Sequence, residues 1–370
     1  MKRYLFYALL LALLASTPFE MSAQKGKKTK KTTKVSTKGA QTNTPNKAWA
    51  TYCNGVLTFS YGSKPQPPVQ VDCAGCGKKM PFKINSCSNC GAKNEKDFVV
   101  YDALARIPYP YLSGYTCGPW FEKSETTKKV VFISSFKQVT NITNIAYWFD
   151  SMYNLTEIIG LEYLNTAKVT DMSNLFYGCH KLKYIDLTHF DTSSVIEMYG
   201  MFCGCESITS LDLSQFKTDN VTRMSGMFCG IKCKKLDLSS FNTSNVKSMR
   251  QMFQACDNLI SLDLSNFNTS KVEDMHWMFN DCENLVSLNV SSFNTSNVRN
   301  MEGMFGRCKS LTTLDLTSFD TRNAIANHMF EDSWNLKTIY VTDVIWQPKV
   351  NTSTYHPYVM ESCNAKIIKK

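Results

Sequence analysis

One dipeptide, ending in Phe, recurs along most of the chain at nearly constant spacing. It stands at Trp148-Phe149, Leu175-Phe176, Met201-Phe202, Met227-Phe228, Met252-Phe253, Met278-Phe279, Met304-Phe305 and Met329-Phe330, with steps of 27, 26, 26, 25, 26, 26 and 25 residues. A second ladder keeps the same phase: Ile185-Asp186-Leu187, Leu211-Asp212-Leu213, Leu236-Asp237-Leu238, Leu262-Asp263-Leu264, Leu288-Asn289-Val290, Leu314-Asp315-Leu316 and Ile339-Tyr340-Val341. A period of this length marks a chain that winds into stacked coils, each hiding its apolar face against its neighbours. About eight coils span residues 131–345.

Within a unit the apolar spacing changes. Leu259, Leu262 and Leu264 alternate with Ser261, Asp263 and Ser265, the pattern of a short strand with one buried face. Phe267 turns inward, and Asn268-Thr269-Ser270 are turn and helix-capping residue types. Val272, Met275, Met278 and Phe279 follow at steps of 3, 3 and 1, which predicts a short helix. Asn280-Asp281 then turns the chain and Cys282 faces inward. The expected fold is an α/β solenoid: a right-handed coil of short parallel strands and short helices.

The repeated Leu-Asp-Leu-Ser-x-Phe-Asn-Thr-Ser-Asn-Val-x-x-Met-x-x-Met-Phe-x-x-Cys, clearest at 236–256, 262–282 and 288–308, resembles leucine-rich repeats. It is closest in character to the BspA-like leucine-rich-repeat surface proteins of bacteria, and residues 158–166 resemble that family's first coil. This unit is longer than the better-known one and has Met-Phe where that has Ala-Phe. The resemblance implies a surface-exposed or secreted protein, some of whose relatives adhere to host matrix proteins or to other bacteria.

The ladders have plain structural readings. Met at helical spacing fills a core rather than binding copper. Cys179, Cys205, Cys256, Cys282 and Cys308 share one position and are expected to be buried, reduced thiols. Cys203 and Cys229 form a second matched pair in adjacent coils, where bridging is open. Asp186, Asp212, Asp237, Asp263 and Asp315, interrupted by Asn289, face outward from the strands. They make a polar, acidic strip for a basic protein partner or Ca²⁺, or else a solvated face; no aromatic or Arg anchor stands among them.

The formal charge of +10 is local. Residues 24–48 hold eight Lys and no acid, residues 1–23 contribute +1, and the rest sums to about +1. Met1-Lys2-Arg3, the apolar run Tyr4–Leu14 and Met21-Ser22-Ala23 read as a secretory signal over 1–23, too short in its apolar part to span a membrane. Residues 24–48 read as a disordered linker in which Lys25 to Lys47 could meet the envelope electrostatically. Export disfavours nucleic acid as a partner, and no later segment reaches transmembrane length.

Residues 49–130 are expected to form a β-rich cap, and 346–370 to close the other end. Within the cap, Cys73, Cys76, Cys87 and Cys90 form two Cys-x-x-Cys pairs, each followed by Gly. The segment 70–94 resembles a zinc ribbon whose four thiolates would hold a structural Zn²⁺; in an oxidising space the same four can close two disulfides. Cys53 and Cys117 are a further candidate bridge. The five His share no ligand spacing, and no phosphate loop, GxSxG or HExxH occurs. The sequence therefore points to a non-enzymatic exported binding protein, with a structural envelope role as the alternative, its ribbon docking a partner. Metal analysis with thiol counting separates the two cysteine states: about one zinc per chain with all four thiols regained on chelation is expected, against no metal and two disulfides.

Overall fold

The structure, a computed structural model, describes residues 47–66, 70–72, 79–81, 98–108, 116–342 and 363–370. The signal-like segment, most of the Lys-rich stretch and the four ribbon cysteines lie outside the described residues. The strands are β1 (Lys47–Cys53), β2 (Val56–Gly62), β3 (Gln70–Asp72), β4 (Lys79–Pro81), β5 (Phe98–Asp102), β6 (Ile107–Pro108) and β7 (Thr116–Cys117). Then come β8 (Lys129–Phe132), β9 (Glu157–Ile159), β10 (Ser261–Asp263), β11 (Ser287–Asn289), β12 (Thr313–Asp315), β13 (Thr338–Val341) and β14 (Lys366–Lys369). β1 takes in Lys47 and Ala48, the last two residues of the expected disordered linker, and they are strand instead.

The coils stack as the repeat requires. Phe149, Phe176, Phe202, Phe228, Phe253, Phe279, Phe305 and Phe330 form one column of rings with centroids 5.5–6.0 Å apart. Twelve Met residues of the stripe, from Met172 to Met329, are fully buried beside it. The five ladder cysteines are buried free thiols, as expected, and burial pushes up the Cys179 and Cys308 thiols. Each donates to the Phe carbonyl of the preceding coil, as Cys256 does to Phe228 O at 3.1 Å and Cys282 to Phe253 O at 3.1 Å. Ser333 takes the place in the last coil and bonds Phe305 O at 2.7 Å, so the position selects a small donor rather than sulfur.

The short helices do not form. Among the described residues there is no α-helix, only short 3-10 turns at Phe121–Thr126, Ser134–Gln138 and Leu161–Tyr163. The cause is visible in the backbone: the residues two before and two after each column Phe have positive φ in all eight coils. Asn174 and Gly178 flank Phe176, Gln251 and Ala255 flank Phe253, and Trp277 and Asp281 flank Phe279. A left-handed residue every fourth position breaks a helix. It also turns alternate amides along the stack. Met172, Asn174, Phe176 and Gly178 donate to Glu197, Tyr199, Met201 and Cys203 of the next coil at 2.7–2.9 Å, while Leu175, Tyr177 and Cys179 bond back three residues. A helix of some eight residues is marginal in water and would spend its amides internally. Lateral bonds to a neighbour win, although each left-handed non-glycine residue costs about 1 kcal/mol.

The main inter-coil ladder thus runs along the Met-Phe side, marked by parallel bridges from Asn144–Asp171 through to Asn300–Ile325. On the Leu side, β10 pairs with β11 and β12 with β13 in parallel, Leu262 opposite Leu288 and Leu314 opposite Ile339. The intervening rungs 185–187, 211–213 and 236–238 form no regular strand.

Both ends of the stack are occupied. β2 pairs in parallel with β8, and β8 with β9, so the antiparallel β5-β1-β2 sheet continues the solenoid sheet in the order β5-β1-β2-β8-β9. Phe59 stacks on Phe132 and Trp148 at 4.5 and 5.2 Å, and Trp120 Nε1 donates to Trp148 O at 2.7 Å. At the other end β14 pairs in parallel with β13, Ile367 opposite Ile339, and presents Lys366 and Lys369 on the outer edge. Charged edge residues discourage pairing with another chain.

A buried Thr ladder adds a second cross-link. Thr166, Thr192, Thr218, Thr243, Thr269, Thr295 and Thr321 are at most 2% exposed. Thr269 Oγ1 accepts from Asn294 N at 2.8 Å and donates to Asn294 O at 2.9 Å; Thr192, Thr218 and Thr295 do the same one coil on. Thr269→Val should lower unfolding stability by about 2 kcal/mol in denaturant titrations, because it strands a buried amide and carbonyl, while Thr269→Ser retains most of it. Phe253→Ala should cost about 4 kcal/mol by opening the ring column.

Candidate interaction face

The outward Asp positions come from strand alternation, but a local hydrogen-bond motif fixes the carboxylates. Each sits two residues before a Ser or Thr whose amide it accepts. Asp186 accepts from Thr188 N at 3.1 Å, Asp212 from Ser214 N at 3.0 Å, Asp237 from Ser239 N, Asp263 from Ser265 N and Asp315 from Thr317 N, all at 3.0 Å. The hydroxyls of Thr188, Ser214 and Thr317 donate to the same oxygens at 2.6–2.7 Å. Such turns need only a short acceptor side chain, which is why Asn289 fits the ladder, bonding Ser291 N with its oxygen and Asp263 with its amide at 2.9 Å.

These bonds favour the ionised form. The Ser214 hydroxyl and amide hold the Asp212 carboxyl below its ordinary value, outweighing repulsion from Asp186 and Asp237. Thr188, Ser239 and Ser265 lower Asp186, Asp237 and Asp263 in the same way. At Asp315 burial works the other way, and Thr317 with Lys370 outweighs it. Lys370 Nζ lies 3.0 Å from Asp315 and 3.8 Å from the Tyr340 ring centre, so Lys370 already engages this carboxylate. The open acidic run is therefore Asp186, Asp212, Asp237 and Asp263.

The sequence pattern left this face without an aromatic anchor, and here the structure differs. Tyr184, two residues before Asp186 and so on the same side of the rung, is 70% exposed. Strand alternation by itself puts the position before each Leu-Asp-Leu on the outward face. Lys235 and Ser261 hold equivalent places further along. Beside the strip an open groove is lined by Lys234, Asn258, Ile260, Asn284, Val286 and Ser310. A separate basic groove lies elsewhere, lined by Lys247, Lys271, Glu273, Asn297 and Arg299.

Among the described residues no group of three or more His, Cys, Asp or Glu is placed to hold a metal ion. Cys73, Cys76, Cys87 and Cys90 lie outside the described residues. Cys117 is a buried free thiol, pushed up to about 11 by burial, so the Cys53–Cys117 bridge is absent. No helix among the described residues is long and apolar enough to cross a membrane.

The coils carry the family signal. A family described as "Mycoplasma protein of unknown function, DUF285" matches residues 143–259 and 229–343, together more than half of the chain. The chain belongs to this family. The matched span begins at Thr143, beside the first inter-coil bridge at Asn144, and ends just after β13, so the family signature is the solenoid itself. A search of curated proteins finds no match.

A carboxylate with a depressed folded value contributes stability above its unfolded value and loses it as pH falls through the folded one. The carboxyl midpoints of Asp186, Asp212, Asp237 and Asp263, followed by NMR, should therefore all lie below the ordinary 3.8. Ser214→Ala should move Asp212 upward and leave Asp263 in place.

Proposed function

We propose that this chain is an exported, non-enzymatic binding protein whose solenoid presents the Asp186–Asp263 strip to a basic protein surface, in adhesion to host matrix or to other bacteria. The reading is that of a BspA-like leucine-rich-repeat surface protein. The observation that carries it is the set of carboxylates oriented by their own turns at one-coil intervals. Their oxygens are ordered before any partner arrives, so little side-chain entropy is lost on contact. Tyr184 at one end supplies the exposed ring that such interfaces favour as an anchor. Open, shallow grooves along the coils suit a macromolecular partner better than a small substrate. The secretory segment at 1–23 and the Lys-rich stretch after it would bring the protein to the cell exterior and attract it to anionic envelope polymers.

The test removes charge without removing the turns. In Asp212→Asn/Asp237→Asn/Asp263→Asn each side chain keeps its acceptor oxygen, as Asn289 does naturally. Binding of the wild-type protein to immobilised basic matrix proteins and bacterial surface extracts should be saturable and should weaken with salt. The triple variant should bind about tenfold more weakly with an unchanged melting temperature. Equal binding by the variant would remove the strip from the interface.

A further inference from the structure

We infer that Cys203 and Cys229 are an oxidation site, closing a disulfide between the third and fourth coils. This pair differs from the thiols of the interior ladder in placement, partners and backbone.

Both side chains leave the interior and pack with Tyr177 and Tyr199 in a separate small cluster, fully buried. They are directly opposite in the parallel ladder, because Phe202 N bonds Met227 O at 2.9 Å and Gly204 N bonds Cys229 O at 2.7 Å. Opposed residues on parallel rungs stand about 4.8 Å apart, inside the roughly 4.4–6.8 Å between Cα atoms that a disulfide spans. The two thiols belong to the same four-residue cluster.

Cys256 and Cys282 also stand in adjacent coils, but their sulfurs are committed to the Phe228 and Phe253 carbonyls, and bridging them would break both bonds. Neither Cys203 nor Cys229 donates to a carbonyl. The backbone separates the pairs as well. The coils of Phe202 and Phe228 are the two in which both left-handed positions are glycine: Gly200 and Gly204, Gly226 and Gly230. The interior pair has Gln251, Ala255, Trp277 and Asp281 there. Turning two parallel Cβ atoms toward each other needs small backbone rotations, which glycines on both sides of each cysteine permit.

This step rests on the export proposed above: the oxidant is a disulfide donor of the oxidising compartment an exported chain enters. One thiolate attacks the donor, forming a mixed disulfide and releasing one thiol. The second cysteine then displaces the other, so two protein thiols become one S–S bond and the donor becomes two thiols. Because the folded pair is shielded, the exchange takes place while the coils are stacking.

Full-length protein, unfolded with reductant and refolded against oxidised and reduced glutathione, is digested without reduction and mapped by mass spectrometry. The expected product is a linked pair of peptides containing Cys203 and Cys229. Its melting temperature should exceed that of dithiothreitol-treated protein by about 5 °C, as closing a loop of this length implies. C203S/C229S should show no such reductant-dependent shift. Recovery of Cys203 and Cys229 as free thiols or glutathione adducts, or a bridge between Cys256 and Cys282 instead, overturns the assignment, and the mapping needs no variant to fold.

Discussion

Backbone amides that bond outward to the next coil, instead of inward to their own, are what the rest of this molecule depends on. Each of the first seven coils gives four amides along the Met-Phe side to the next, and this goes with a left-handed residue on either side of the column Phe. Once those bonds exist, identical side chains fall into register and the Phe, Met, Cys and Thr columns follow. No coil could hold this backbone alone, since its lateral amides would face water and its apolar side would be exposed. The fold is cooperative by construction.

The columns divide the work between shape and polarity. Phe and Met fill space in the interior, while Cys and Thr satisfy carbonyls and amides that the coiled backbone leaves inside. The Thr hydroxyl is the more demanding of the two, because it both accepts and donates across one peptide group. Removing such a group from a buried site costs more than the net value of either bond. The same economy operates outside, where the outward Asp residues close their own turns and those bonds favour their ionised form. A surface that is locally satisfied and charged can be presented to a partner without destabilising the stack.

Much of this was legible in the residues. The period, the inward Leu, Phe, Met and Cys, and the outward Asp all follow from alignment of the units. Apolar steps of 3, 3 and 1 describe equally a helical stripe and a run of turns broken by left-handed residues, so they do not separate the expected helix from the observed turns. The distinguishing signal lay in the polar positions. The residues two before and two after each column Phe include six glycines and no Val, Ile, Thr or Pro, as a positive φ demands and a helix does not. The Thr of Asn-Thr-Ser was assigned to turn chemistry because one unit alone gives no hint that its hydroxyl is buried against the next. The Asp turns, by contrast, are written locally as Asp-x-Ser/Thr.

Each coil touches only the one before and the one after, through surfaces that are nearly the same at every step, whereas the sheet at one end and β14 at the other occur once. A gene of this kind can gain or lose whole units by unequal recombination between its repeats, with the join always falling on compatible faces. Copy number, and with it the length of the displayed face, can then drift among relatives while both ends are inherited intact.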